Sequence, residues 1–337
     1  MHTNRNPQIR YSLTLPGLAA GIALAATVAI APAAFAAEAY PAGKPITLVV
    51  PYPPGGSNDV FARAVGAKLG PLLHTTVVIE NKPGAGGSIG ASYVARAKPD
   101  GYTLAAVSSS FTTNAAIQAN LSFDAVKDFT PVALMAEGPF IVAVKKDAPI
   151  NSIADLVAYA KKHPGELNYA SSGPGSSNQF ATEMMDTAAG IKMTHVPFRG
   201  MGPATTALMA GQVDVLVASG PSLLPAINSG KVRSLGITSA KPSAIAPDLK
   251  PVADTVPGYD FSLWWGILAP AHTPEAIVNT LNAAIAKVVE DPEMKKFFIR
   301  EGAESATLSA PQYKQRVKDD IVQWKKVAQQ SNITVQK

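Results

Sequence analysis

What most constrains this chain is a rhythm. Short apolar runs, each ending in a loop rich in Gly, Ser or Pro, alternate with helical stripes. Ile46-Thr-Leu-Val-Val50 reads as a buried strand that stops at Pro51. Residues 58–69 then carry apolar side chains at 60, 61, 64, 65 and 69, the spacing of one helix face. Thr76-Val-Val-Ile79 is the next strand, residues 88–97 the next helix, and 102–107 a third strand. Parallel strands need crossover connections, so this βαβαβ order implies a parallel sheet covered on both faces.

A second series begins at Phe140-Ile-Val-Ala-Val144. Ser152-Ile-Ala-Asp155 has the spacing of a capping box, with Asp in place of Glu. Ile153, Leu156, Val157 and Ala160 follow on one helix face, and His163-Pro164-Gly165 ends that helix. Further strands are expected near 167–170, 195–197, 214–218 and 234–238, with helices between them. The Pro-rich stretch 242–258 reads as ordered loop. Residues 261–269 read as a strand feeding the helix start Thr273-Pro274-Glu275. Helices at 274–289, 291–300 and 311–330 complete a tail without a sheet of its own. The expectation is an α/β chain of two lobes, each a mixed, mostly parallel sheet flanked by helices. The 337 residues suit two domains. Residues 37–139 with 265–337 form the first lobe and 140–264 the second, with crossings near 138–141 and 262–266. A cleft between two lobes is a natural ligand site.

The N-terminus belongs to neither lobe. Arg5 and Arg10 precede an uncharged stretch, 11–37, that closes on Ala34-Phe35-Ala36, a small-x-small pattern. These are the parts of a secretory signal peptide, so export with cleavage near Ala36 is expected. The stretch is also long enough for a membrane anchor, but Pro16, Gly17, Gly21 and Pro32 interrupt it. Without Arg5 and Arg10 the formal charge falls from +5 to +3, and the remaining Lys and Arg are scattered. A nucleic-acid partner needs a concentrated basic face, so none is expected. The absence of cysteine excludes disulfides, thiol catalysis and Cys-ligated metals.

The sequence offers no catalytic constellation. The histidines at 2, 74, 163, 195 and 272 lack paired metal-ligand spacing, and no H-E-x-x-H pattern occurs. No catalytic residue, metal or cofactor is therefore expected. Gly84-Ala-Gly86-Gly-Ser-Ile-Gly90 approaches a dinucleotide fingerprint, but Asn81-Lys82-Pro83 separates it from its strand. The acid that would hold a ribose is missing; Val107-Ser108-Ser109-Ser110 stands at the next strand end. A helix entry packed on the sheet explains the glycines.

The stronger signal is a repeated kind of loop at strand ends. Tyr52, Gly55, Gly56, Ser57, Asn58 and Asp59 form the first, and Ser108 and Ser109 the second. Ser172, Gly173, Gly175, Ser176, Ser177 and Gln179 belong to the third, and Phe198, Arg199 and Gly200 to the fourth. The first, third and fourth lead into helices. Glycine lets backbone approach a ligand, and free N–H groups at a helix start form an anion site. Two such ends, one per lobe, would clamp a carboxylate without a buried charge. Asp59 fits poorly against an anion, so bracing the loop suits it better. Arg199, the one basic side chain in these loops, is the direct carboxylate partner or a solvated charge.

Taken in order, these segments resemble the Bug/TctC family of extracytoplasmic solute receptors that serve tripartite tricarboxylate transporters. The resemblance rests on Pro51-Tyr52-Pro-Pro-Gly55-Gly56-Ser57-Asn58-Asp59, Asn81-Lys-Pro-Gly-Ala-Gly-Gly87 and Lys98-Pro-Asp-Gly-Tyr-Thr-Leu104. It continues through Ser171-Ser-Gly-Pro-Gly-Ser176, Val196-Pro-Phe-Arg-Gly200, Gly211-Gln-Val-Asp214 and Trp265-Gly-Ile-Leu-Ala-Pro270. It implies a type II periplasmic binding protein fold closing on a small carboxylate, a monomer that delivers its ligand to membrane transporter subunits. Two positions depart from the family pattern: Gln179 stands where His is frequent, and Arg199 where Lys is common. A sensory receptor of the same fold and a secreted α/β enzyme are the alternative functions. Tyr52, Phe198 and the Trp264-Trp265 pair would favour an aromatic or longer acid if they faced the cleft, although strand tryptophans usually belong to the core.

Overall fold

The computed structural model describes Ser12 and residues 40–118 and 120–333. The signal-peptide reading at 1–36 thus lies outside the described residues, Ser12 apart. The chain forms two mixed sheets. The first has six strands in the order β11-β4-β10-β3-β1-β2. Its members are β1 (Ile46–Val50), β2 (Val77–Asn81), β3 (Thr103–Ser108), β4 (Phe129–Pro139), β10 (Ser262–Pro270) and β11 (Glu304–Ser305). The second, ordered β7-β6-β8-β5-β9, comprises β5 (Ile141–Lys145), β6 (Asn168–Ser171), β7 (Thr194–Pro197), β8 (Val215–Ala218) and β9 (Val232–Ile237).

Both sheets are mixed. Most strands in each share one direction, but β10 and β5 oppose them from inside the sheets and β11 from an edge. Five of the nine neighbouring pairings are therefore antiparallel. In the first, β1, β2, β3 and β4 share one direction and only β10 and β11 run against them. In the second, β5 alone opposes β6, β7, β8 and β9. The chain leaves the first sheet at Pro139 and enters the second at Ile141. It returns through the 242–258 loop, where Pro251 bridges to Ile237, and β10 lies wholly in the first sheet. The helical tail carries one two-residue strand, β11, that pairs with β4.

Among the described residues ten α-helices cover the sheets: α1 (Ser57–Leu72), α2 (Ser88–Ala95), α3 (Ser110–Ile117), α4 (Ile153–Lys162), α5 (Ser177–Ala189), α6 (Met201–Ala210), α7 (Gly220–Asn228), α8 (Glu275–Glu290), α9 (Pro292–Arg300) and α10 (Ala310–Gln330). Strand alternation divides the cores. Ile46, Leu48 and Val50 of β1 pack with Phe61 and Val65 of α1 and Leu281 of α8. Val49 faces the other side, with Ala91 of α2, Phe111 of α3 and Val317 of α10. In the second sheet, α4 and α5 cover one face and α6 and α7 the other. The α4 start keeps half of the capping box. Ser152 Oγ accepts from the Asp155 N–H at 3.1 Å, but the shorter Asp155 carboxylate accepts from the Asn151 N–H at 3.0 Å, one residue before the cap.

No helix among the described residues is long and apolar enough to cross a membrane.

Candidate functional site

The strand ends of both sheets deliver their loops to one cleft, and the loops open helices there. The first turns of α1, α3, α5 and α6 and the Ser219 cap of α7 all contribute to one cavity of about 90 Å³. Its polar lining includes Tyr52, Ser57, Asn58, Ser108, Ser110, Ser172, Ser177, Asn178 and Ser219, and none of its lining residues is charged. Helix N-termini carry unpaired N–H groups and a partial positive charge. Five of them around a small chamber of hydroxyls and amides make a receptacle for an anion. Asn58 Oδ1 is buried there without a hydrogen-bond partner. The Tyr52 phenol is pushed well up by burial, partly offset by hydrogen bonds to the Ser108 and Ser110 hydroxyls, and stays a neutral donor.

The α1 and α5 entries are built alike. In each, a glycine in the left-handed region (Gly55 at φ +83°, Gly175 at φ +78°) turns its N–H back toward the third helical residue. Asp59 Oδ2 accepts from the Gly55 N–H at 3.0 Å; Gln179 Oε1 accepts from the Gly175 N–H at 2.8 Å. Asp59 is further held by Asn81 Nδ2 at 3.0 Å and the Arg63 guanidinium at 2.9 Å. Burial works against its charge, but Arg63, the Gly55 N–H and Asn81 outweigh it and hold the carboxyl below its usual range. Asp59 and Gln179 thus stand behind the chamber wall as braces.

Further bonds fix the lining residues. Trp265 Nε1 donates to Ser57 Oγ at 3.0 Å, and Asn58 Nδ2 donates to Ser108 Oγ at 3.3 Å. Asn178 Nδ2 donates to the Val217 carbonyl at 2.8 Å and accepts from Ser172 Oγ at 3.0 Å. Both tryptophans are fully buried. Trp264 donates to Asp320 at 2.6 Å, so the pair braces the core and offers no aromatic wall to a ligand.

The lobes touch around the cleft. Ser110 and Ser177 hydroxyls lie 2.9 Å apart, the Ser177 N–H donates to Ser110 Oγ at 3.2 Å, and Thr113 Oγ1 donates to the Gly175 carbonyl at 2.8 Å. Gly200, at φ +112°, lies against Pro53, where a Cβ would come within 2.9 Å of Pro53 Cγ.

A second, larger cavity of about 520 Å³ adjoins the first and shares Tyr52, Pro53, Ser110, Ser172 and Gly200 with it. Gly173, Ser176, Phe198 and Arg199 line this outer chamber together with residues 83–87. Of the residues expected from sequence, Tyr52, Gly56, Ser57, Asn58, Ser108, Ser172, Ser177 and Gly200 line the inner chamber. Gly55, Asp59, Ser109, Gly175 and Gln179 line neither. Ser109 is fully buried, and its N–H donates to the Trp264 carbonyl at 3.1 Å. Sequence reasoning passed over Ser219, whose signal was present: a strand end followed by Ser-Gly-Pro at a helix start.

Two patterns that the sequence reading did not single out suggest catalysis, and both have local explanations. Gly86-Gly87-Ser88-Ile89-Gly90 spells a nucleophile elbow, but the Ser88 hydroxyl donates to the Ala85 carbonyl at 2.9 Å. Ser171 Oγ lies 2.6 Å from His195 Nε2, yet Ser171 is fully buried and also bonds both backbone groups of Gly173. Burial pushes the His195 imidazole down to about 4, so it is neutral at physiological pH and pins the loop start. No group of three or more potential metal ligands occurs among the described residues.

Comparison with known proteins agrees with this architecture. Residues 61–333 match the model of the tripartite tricarboxylate transporter family receptor, TctC. The chain is 31% identical to protein BugT of Bordetella pertussis, over 91% of this chain and 94% of that protein. It is 32% identical to a UPF0065 protein from the tcbD-tcbE intergenic region of Pseudomonas sp. strain P51, covering 97% of each. Among solved structures, a Rhodopseudomonas palustris protein with adipate superposes with a TM-score of 0.84 at 34% identity, covering 86% of this chain and 98% of that one. MatC from the same organism, with bound malate, gives 0.79 at 32%, covering 84% and 98%. With a family model matched over most of its length, the chain belongs to the TctC, or Bug, family of periplasmic solute-binding receptors.

Proposed function

We propose that this chain captures a small organic acid between its two lobes and delivers it to the membrane subunits of a tripartite tricarboxylate-type transporter. The observation that carries this reading is the convergence of five helix starts on a chamber lined without a charged side chain. The carboxylate-bound relatives support it: adipate and malate accompany two of the structures similar to this one.

The lobes would be residues 37–139 with 262–337, and residues 140–261, the boundary expected at 264/265 moving to the start of β10, with the signal segment removed near Ala36 on export to the periplasm. A carboxylate in the chamber takes hydrogen bonds from Ser57 and Asn58 on one side and from Ser177 and Asn178 on the other, with Ser172 holding Asn178 in place. Because these contacts exist together only when the cleft is closed, the ligand draws the population toward the closed form, which the transporter recognises. The receptor acts as a monomer and leaves its ligand unchanged.

A thermal-shift panel of mono- and dicarboxylates, followed by mass spectrometry of the incubated acids, tests the reading. Saturable stabilisation by at least one acid, with the acid recovered intact, is expected. Failure of every acid to stabilise the protein, or conversion of one into product, would sink it.

A further inference from the structure

Beside the inner chamber the two halves of the molecule meet backbone to backbone. Gly220 opens α7 directly after Ser219, which lines that chamber. It is buried against Glu301 and Gly302, the turn between α9 and β11. A Cβ at Gly220 would overlap the Glu301 carbonyl oxygen and stand 2.7 Å from its carbonyl carbon and 3.0 Å from Gly302 Cα. At Gly175, by contrast, a Cβ would meet the Asn114 side chain, which can turn aside. A carbonyl in a fixed turn cannot.

This turn is fixed on every side. The N–H groups of Glu301, Gly302 and Ala303 donate to the carbonyls of Phe297, Ile299 and Phe298 at 3.0, 3.0 and 2.8 Å. Glu304 then pairs with Glu137 of β4. Gly138 of β4 lies so close behind that a Cβ there would come within 2.9 Å of the Gly302 carbonyl oxygen. Across the contact, the Ser219 carbonyl accepts from Ser222 and Leu223 at 3.1 and 3.2 Å and holds the first turn of α7. The φ of Gly220 lies outside the left-handed region. Its own conformation therefore does not demand glycine; the close approach of another backbone does.

We propose that Gly220 is the positioning residue that sets how far the cleft closes. Its bare Cα lets α7 seat against the 301–302 turn. That seating carries Ser219 into the chamber opposite Ser57 and Asn58 of α1, a helix on which α7 also packs. A methyl group at this position holds the lobes apart, although it touches no ligand. The inference rests on the reading of the molecule as a closing receptor and names the contact that stops the motion.

The chain has no cysteine, so an introduced pair reports closure without background. Ser110→Cys with Ser177→Cys places thiols where hydroxyls lie 2.9 Å apart across the cleft. Oxygen with a copper–phenanthroline catalyst oxidises such a pair to a disulfide when the lobes meet. The first measurement is the cross-linking rate of the ligand-free pair variant, with and without Gly220→Ala. The second is calorimetric titration of Gly220→Ala alone with adipate and with malate. Gly220→Ala is expected to slow cross-linking about tenfold, and to weaken whichever of these acids the wild type binds by about as much. The ligand-free protein should melt near the wild-type temperature. Cross-linking at the wild-type rate overturns the proposal, as does a loss confined to the melting temperature or slowed cross-linking with acid binding unweakened. A wild type that binds neither acid counts against the acid reading alone, because the cross-linking rate decides on Gly220 by itself.

Discussion

Residues 55–59 and residues 175–179 perform the same task in the two lobes, yet one loop is locked by a carboxylate and the other by an amide. Each sequence runs Gly-x-Ser-Asn and then the bracing side chain, each glycine has a left-handed φ, and each brace accepts the glycine N–H. The neighbours one helical turn later explain the difference. Four residues after Asp59 stands Arg63, which pairs with it; four residues after Gln179 stands Glu183, which accepts from the Tyr169 hydroxyl. A charge is tolerable beside an anion chamber only where a cation on the same helix face balances it.

The largest effect should follow from forcing the second loop to resemble the first. Gln179→Glu places a second carboxylate one turn from Glu183, buried and without a cation. Burial already raises Glu183, with the Tyr169 hydroxyl partly offsetting it. A loss of about 3 kcal/mol at neutral pH is expected, as for a buried uncompensated charge, and much of it should return on acidification as the new carboxyl protonates. Carboxylate affinity should fall at least tenfold. Urea unfolding at several pH values with parallel titrations measures both, and full tolerance at pH 7 would break the comparison.

The converse substitution, Asp59→Asn, removes the charge where it is balanced. It weakens three charge-assisted contacts and should cost about 2 kcal/mol. The sign of the pH dependence follows from the lowered carboxyl of Asp59. In the wild type its contribution is fully present above the unfolded-state carboxyl range, about pH 4, and disappears as pH falls through the lower folded value. Asp59→Asn should therefore flatten the acid limb of the stability profile, and carboxylate affinity should stay within about threefold because Arg63 already cancels the charge. A profile parallel to the wild type's would show that Asp59 contributes no net charge interaction.

The paired serines of the two loops sharpen the contrast in another way. Ser57 accepts from Trp265 within lobe one, whereas Ser177 bonds Ser110 across the cleft. Ser57→Ala leaves the buried indole N–H without an acceptor and should cost about 1.5 kcal/mol of stability, read by thermal or urea unfolding. An unchanged melting point would mean that the indole finds another partner.

The fold was largely legible in the sequence because the βα rhythm is strong wherever a strand is a pure apolar run and its helix has a stripe. It was least legible between residues 110 and 139. The segment Ser110–Ile117 has no apolar stripe and carries adjacent β-branched Thr112 and Thr113. It becomes helix α3 because both threonine hydroxyls bond carbonyls one turn back and Phe111 enters the core. β4 contains Pro131 and Gly138 inside a long apolar run, a composition that identifies neither strand nor helix. At the site, Gly- and Ser-rich strand ends announced the loops, and the oddness of an acid beside an anion suggested a brace at Asp59, whose carboxylate accepts the Gly55 N–H. Gln179 carried no such warning, since an amide suits a ligand as well as a backbone N–H. Only its bond to Gly175 distinguishes the two. Ser219 carried the signal of a helix start after a strand end, but only the fold shows that this start comes to the cleft.

The smallest expected effect is the most diagnostic of closure. Ser177→Ala removes one hydroxyl from the Ser110–Ser177 contact and leaves the lobe-two core untouched, so stability should change by no more than about 0.5 kcal/mol. The same contact exists only when the lobes meet, so its loss disfavours the closed state and taxes every ligand that needs that state. Because Ser177 and Ser110 both line the inner chamber, neither single variant separates closure from ligand contact, and the double variant isolates the pair. If the pair acts as a closure contact, the single variants should each weaken acid binding about threefold and the double variant by little more than either. If the hydroxyls act as separate ligand donors, the two losses multiply. Calorimetric titration of the four proteins with one acid decides between these outcomes.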